Sequence, residues 1–133
     1  MQVITAKEIA AMVSDDAWLV SQGMGAAAVP EELLLELENR FLDCGHPSGL
    51  HVIHSSGEGY GHRGLNHVGH EGMLAWILGG HYGPAHEVQK LMIENKIKAY
   101  NWPQGVISCM FRDIAGRRPT LSKIGLYTFV DPR

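Results

Sequence analysis

Residues 57 to 72, GEGYGHRGLNHVGHEG, place His62, His67 and His70 among six glycines, and His81 and His86 follow closely. His67 and His70 are three apart with Glu71 beside them. On a helix that spacing would turn two imidazoles toward one ion and leave Glu71 as a base, so a metal-dependent hydrolase using His62, His67 and His70 is one reading. Metal ligands, however, must be held rigidly by further hydrogen bonds, and Gly64, Gly69 and Gly72 make the segment hard to hold as a helix. The order HxxHE also differs from the HExxH of zinc proteases. No metal is therefore expected, and either buried, hydrogen-bonded histidines or a loop packed on its own glycines is expected instead. His51 and His54, on a strand, are expected to be structural.

A second group surrounds Gly23-Met24-Gly25, which follows a short apolar run and precedes a helix opening near Pro30. Glycines there let backbone amides approach a ligand, and the helix adds the positive end of its dipole, so an anion or a developing oxyanion fits that turn. The dinucleotide fingerprint GxGxxG is not completed, because Ala28 stands at the last glycine position. Met24 reads either as a flexible apolar wall or as core filler. Ser55, Ser56 and Glu58 lie at the mouth of a second apolar run, and Gln104 opens a helix in WPQG. Each of these can orient a carboxylate or an amide, or simply satisfy its own turn. No Ser-His-Asp or Cys-His arrangement has supporting context. The pattern is that of a binding cleft without a nucleophile.

The elements that would position these groups alternate. Thr5 with Glu8 forms a capping box for a first helix, and Trp18 to Ser21 reads as a buried strand. Leu33, Leu34, Leu37 and Phe41 mark a helix over residues 30 to 43, and Leu50 to His54 is a second strand. A helix is expected from about Glu71 to Leu78, another from Pro84 to Asn95, a brief strand from Ile97 to Tyr100, a helix after Pro103, and a strand from Gly125 to Val130. The class is α/β, a largely parallel sheet flanked by helices, with no closing helix over the last strand and so an incomplete domain. Ligands bind at the carboxyl ends of the strands in such sheets, where residues 22–29, 55–70 and 102–105 would gather.

A chain of 133 residues with 14 carboxylates against 11 lysines and arginines has the length of one domain and no basic face for nucleic acid. No apolar run is long enough for a membrane span and no signal-peptide pattern opens the chain, so a cytoplasmic location is expected. Cys44 and Cys109 form neither a disulfide framework nor a zinc knuckle.

Four segments, DDAWLVSQGMGAAAVPEEL, GHRGLNHVGHEGMLAWILGGHYG, MIENKIKAYNWPQGVISCMFRDIA and GLYTFVDPR, together resemble the beginning of a family I coenzyme A transferase of the acetate/propionate or 3-oxoacid type. The order and spacing fit from Ile4 to Arg133, as in an amino-terminal part of the first domain. Gly23 and Pro30 hold their places in the family's glycine turn, whereas Ala28 replaces the glycine two before the proline. The Pro-Gln-Gly turn and the helix ending Arg112-Asp113-Ile114-Ala115 are the more specific match. The resemblance implies transfer of CoA between a short-chain acyl-CoA and a carboxylic acid. The nucleophilic glutamate that carries CoA as a thioester would lie beyond Arg133, so this chain would hold no catalytic residue. Gly23, Met24 and Gly25 would bind the acyl oxyanion, and Ser56, Gly57, Glu58 and Gln104 would line the substrate pocket. CoA would be a substrate, no cofactor would be permanently bound, and the remaining part of the transferase in a homo-oligomer would be the partner. A stand-alone binding or assembly module is the other reading.

Overall fold

The computed structural model describes residues 3–129 and 131. Its elements run α1 (Ala6–Met12), β1 (Trp18–Ser21), α2 (Glu31–Cys44), β2 (Leu50–His54), β3 (Gly59–Tyr60), β4 (Arg63–Gly64), a 3-10 turn (Leu65–Val68), β5 (Leu74–Gly79), α3 (His86–Ile93), β6 (Lys98–Asn101) and α4 (Gln104–Ala115). Strands β1, β2, β5 and β6 form a four-stranded sheet in that order, every pair parallel. The α/β reading holds. Strands β3 and β4 make a separate small antiparallel hairpin. Among the described residues no helix is long and apolar enough to cross a membrane.

Register assigns the two faces. Leu19, Val52, Ile77 and Ala99 are cross-strand neighbours, and they meet α1, α2, α3 and the 3-10 turn through Ala10, Leu34, Leu37, Leu65, Val68 and Val88. The capping box forms as expected: the Glu8 amide donates to Thr5 Oγ1 and the Thr5 amide to Glu8 Oε2. Arg40, on α2, donates from Nη1 to the carbonyls of Ala10 and Val13, each at 2.7 Å, and so satisfies the carboxyl end of α1. On the opposite face Ile53 and Leu78 are covered by Ile107, Met110 and Phe111 of α4. The neighbouring row Trp18, His51, Trp76 and Lys98 remains more open, with Trp18 stacked on His51 at 4.7 Å between ring centroids.

Two expected elements differ. The helix expected over Glu71 to Leu78 is instead a turn followed by β5, near the middle of the sheet. Residues facing both sides of a parallel sheet are apolar throughout, and a run of that length has no period that distinguishes strand from helix. Its bounding glycines decide: Gly72 has φ of 88°, and Gly79-Gly80 ends the run. The strand expected from Gly125 to Val130 is absent through Phe129, and Val130 lies outside the described residues. The Leu126 amide donates to the Lys123 carbonyl and the Thr128 amide to that of Gly125, which are turn bonds. An apolar run becomes a strand only where another strand takes its backbone groups, and here the backbone turns on itself. The uncovered terminal strand inferred from the sequence is therefore not present among these residues.

Gly79 shows how tightly the strand ends fit. A Cβ placed there would lie 1.9 Å from Nε2 of His54, which is fully buried on the adjacent strand. Gly79→Ala is expected to lower the unfolding free energy by about 1 to 3 kcal/mol through overpacking, read from urea denaturation; an unchanged midpoint would mean that His54 has room to move.

Candidate functional site

Because every strand of the main sheet points the same way, the segments after β1, β2, β5 and β6 converge on one edge. The turn after β1 is fastened to the turn after β2 by backbone bonds, Gly25 N–H to the Gly57 carbonyl at 2.6 Å and Gly59 N–H to the Gly25 carbonyl at 2.9 Å. Ser55 Oγ donates to Gln22 Oε1 at 2.7 Å across the same gap. After β5 and β6, Trp102 N–H donates to the Gly79 carbonyl at 3.1 Å. A Cβ on Gly80 would lie 2.4 Å from the Ser55 carbonyl oxygen and 3.3 Å from Gln104 Cβ, so Gln104 stands directly against this junction. The three loops expected to gather do so.

Their side chains are less open than the sequence implied. Met24 N–H donates to the Ala27 carbonyl at 3.0 Å and Gly25 N–H to that of Gly57, so two of the three amides expected to receive an oxyanion are already engaged. Met24 itself is exposed. Ala28, in the family's glycine place, has a left-handed φ of 56°, a conformation costly for a residue with a Cβ. Ser56, Gly57 and Glu58 are buried, whereas Gln104 is exposed.

Glu58 has no accessible surface. Ser21 Oγ donates to its Oε1 at 2.5 Å, while Oε2 has no hydrogen-bond partner. Burial pushes this carboxyl above the usual glutamate range, the Ser21 bond opposing and the Glu31 charge adding to the shift. Nearby, His54 Nδ1–H donates to the Ser56 carbonyl, and burial pushes its imidazole down to about 4. It is a neutral, structural histidine.

His67 and His70 meet carboxylates. His67 Nδ1 lies 2.6 Å from Glu38 Oε2 and its Nε2 lies 3.0 Å from Glu31 Oε1; His70 Nε2 lies 2.6 Å from Glu38 Oε1. A neutral imidazole carries one N–H, so an imidazole between two ionised carboxylates satisfies both only as the cation. Burial alone would push His67 down, but the bonds and charges of Glu31 and Glu38 carry it above its ordinary value. His62 is exposed. Among the described residues no group of three or more His, Cys, Asp or Glu is arranged to hold a metal ion.

Similarity to known proteins follows the same outline. No protein-family profile matches the chain. It is 38% identical over 132 residues to caffeate CoA-transferase of Acetobacterium woodii, and 35% identical over 134 residues to acetate CoA-transferase YdiF of Escherichia coli (strain K12). Each match covers 98% of this chain and 25% of the relative. The crystal structure of the acyl-CoA transferase YdiF apoenzyme from Escherichia coli O157:H7 superposes with a TM-score of 0.94 at 35% identity, covering 98% of this chain and 26% of that one. The chain is a relative of the CoA-transferases. It spans about a quarter of their length, which fits the resemblance read from the four sequence segments.

Several residues of the chain shape this edge without standing out in the sequence. Ser21 is the polar end of an apolar strand. Glu31 and Glu38 lie seven apart on α2 and so share the face that meets the 3-10 turn. Asn66 donates to the Arg63 and Pro84 carbonyls and accepts from the Glu87 amide, which welds the histidine-rich loop to the start of α3. Only the seven-residue spacing of Glu31 and Glu38 offered a signal, and it needed the facing histidines to become meaningful.

The His67 cation gives a signed prediction. Its folded-state value is raised, so its stabilisation is fully present below about pH 6.5, the unfolded value, and fades as pH rises through the folded value. Glu38→Gln is expected to cost about 1 to 3 kcal/mol at acid pH and less in alkali. Chemical denaturation across the pH range checks this, and a pH-independent difference would rule out the imidazolium.

Proposed function

We propose that residues 1–133 are the amino-terminal part of the first domain of a family I CoA-transferase that exchanges CoA between a short-chain acyl-CoA and a carboxylic acid. The observation that carries this reading is the convergence of the glycine turn after β1, the Ser55–Gly59 turn and the Gln104 helix start on one sheet edge, in a chain 35% to 38% identical to CoA-transferases. A solved YdiF structure is described as a thioester complex with CoA, and this chain superposes on it with a TM-score of 0.93. That neighbour supports a covalent route.

In the proposed reaction a glutamate carboxylate, contributed by sequence beyond Arg133, attacks the thioester carbonyl of the acyl-CoA. The C–S bond breaks, CoA leaves as the thiolate, and an acyl-glutamyl anhydride remains. The thiolate then attacks the glutamyl carbonyl and releases the first carboxylate. The glutamyl-CoA thioester is resolved by the acceptor acid through the same two steps in reverse. The part described above supplies the wall of the cleft. Gly23, Met24 and Gly25 bring backbone and an apolar side chain close to the acyl group, with the Gly23 amide as the candidate oxyanion donor. Gln104 offers its amide from an exposed position. Ser56, Gly57 and Glu58 shape the pocket from beneath. The apolar recess beside Gln104, lined by Trp102, Pro103, Val106, Ile124 and Leu126, gives an acyl chain a surface. CoA enters as a substrate, and the remaining part of the transferase completes the site.

The complete polypeptide bearing this sequence is expected to exchange CoA between acetyl-CoA and an added acid, and to lose activity to borohydride only after incubation with acyl-CoA. Gln104→Ala is expected to reduce kcat/KM about tenfold or more, the loss of one hydrogen bond to a charged group. Absence of both exchange and borohydride sensitivity would overturn the reading.

A further inference from the structure

Glu58 is the only acidic side chain among the described residues that is buried, and it lies under the junction of two turns rather than in a salt bridge. Its backbone takes part in the bridge with Gly25, and the bonds from Gly25 to Gly57 and from Gly59 to Gly25 flank it on both sides. Its side chain fills the space under Gly23, where a Cβ would come within 3.2 Å of Glu58 Cγ. One oxygen accepts from Ser21 and the other has no hydrogen-bond partner among the described residues.

The groups around it do not supply a counter-charge. From α2 the facing charge is Glu31, a like charge, kept ionised by His67 and by the Gly64 amide at 2.9 Å. From β1 comes only the Ser21 hydroxyl. From β2, His54 is buried and neutral; beyond β5, His81 packs its ring against Gly57 and is exposed. From the β3–β4 hairpin, Arg63 is exposed and acts on Glu31. A carboxylate with one hydrogen bond, no cation partner and a neighbouring anion is destabilised relative to the acid.

We propose that Glu58 is a positioning residue that works as an uncharged carboxylic acid, pinning the turn after β1 onto the turn after β2 and keeping this wall of the cleft free of negative charge so that an anionic carboxylate acceptor can bind. The identity of the acceptor rests on the CoA-transfer reading; the uncharged state of Glu58 does not. Ionisation of Glu58 in alkali places a fixed anion under the binding edge, which weakens acceptor binding without touching the atoms that react.

The test uses the complete polypeptide with acetyl-CoA and a carboxylate acceptor. In the native protein KM for the acceptor is expected to rise roughly tenfold as pH increases past the Glu58 ionisation, the order of effect of one added like charge in a partly screened site, with kcat changing less. Glu58→Gln, neutral and of the same shape, is expected to abolish that rise, whereas Glu58→Ala raises KM at every pH. The same pH dependence in Glu58→Gln as in the native protein would overturn the proposal. The side-chain carboxyl carbon of Glu58, followed by 13C NMR in the native chain, gives an answer independent of turnover. A protonated resonance at neutral pH is expected, and an ionised one overturns the proposal even if no CoA transfer is found; absence of CoA transfer alone overturns only the functional reading.

Discussion

The paired backbone bonds between Gly25 and the Gly57–Gly59 turn are the constraint on which the carboxyl edge of the sheet depends. They bring the segments after two neighbouring parallel strands into register beyond the strands themselves, and they require backbone to approach backbone without intervening side chains. At Gly23 a Cβ would lie 2.7 Å from Val29 and at Gly64 2.8 Å from the Gly59 Cα. At Gly64, where the near atoms are backbone, glycine is therefore a steric requirement, whereas at Gly23 a side chain would have to displace Val29. Once the turns are fastened, Ser21 and Glu58 are sealed beneath them, and Gln22 and Ser55 close the gap at the rim.

The histidine-rich loop completes that junction from the side. Its 3-10 turn is held on α2 by His67 and His70 against Glu31 and Glu38, and on α3 by Asn66. Glu31 does double service: one oxygen meets His67 and the other accepts the Gly64 amide of the hairpin. The charge that secures the loop is the same charge that disfavours ionisation of Glu58. The same glutamate thus fixes the position of the loop and adds to the effect of burial on the Glu58 carboxyl.

The sheet is covered unequally. Among the described residues, the face carrying Leu19, Val52, Ile77 and Ala99 meets three helices, whereas the face carrying Trp18, His51 and Trp76 is covered by α4, which packs on Ile53, Leu78 and Trp76. Packing on both faces of β5 explains why a strand, Leu74–Gly79, stands where a helix is expected over residues 71–78. The run Met73 to Leu78 is apolar because both faces of β5 pack, and an apolar run with no period carries no message about which element it forms. By contrast β1 and β2 end at turns rich in serine and glycine, and α2 shows its buried stripe of Leu34 and Leu37 plainly, so these were legible. Apolar residues cluster from Gly125 to Phe129 as in a strand, yet among the described residues this segment forms turns.

Local sequence determined the capped first helix, the parallel α/β class, the glycine turns at the strand ends and the edge at which they collect, because propensity, capping and periodicity act over a few residues. The four quoted segments carried the likeness to CoA-transferases for the same reason: their residues are contiguous. Only the tertiary structure decided that Glu58 lies sealed under Gly23 with Ser21 as its side-chain hydrogen-bond partner, that the amides of Met24 and Gly25 are spent on backbone carbonyls, and that His67 and His70 meet glutamates on α2. Each of these is a contact between residues about thirty or more positions apart or a choice between two partners for one amide, and burial and charge settle such choices only after the elements have packed.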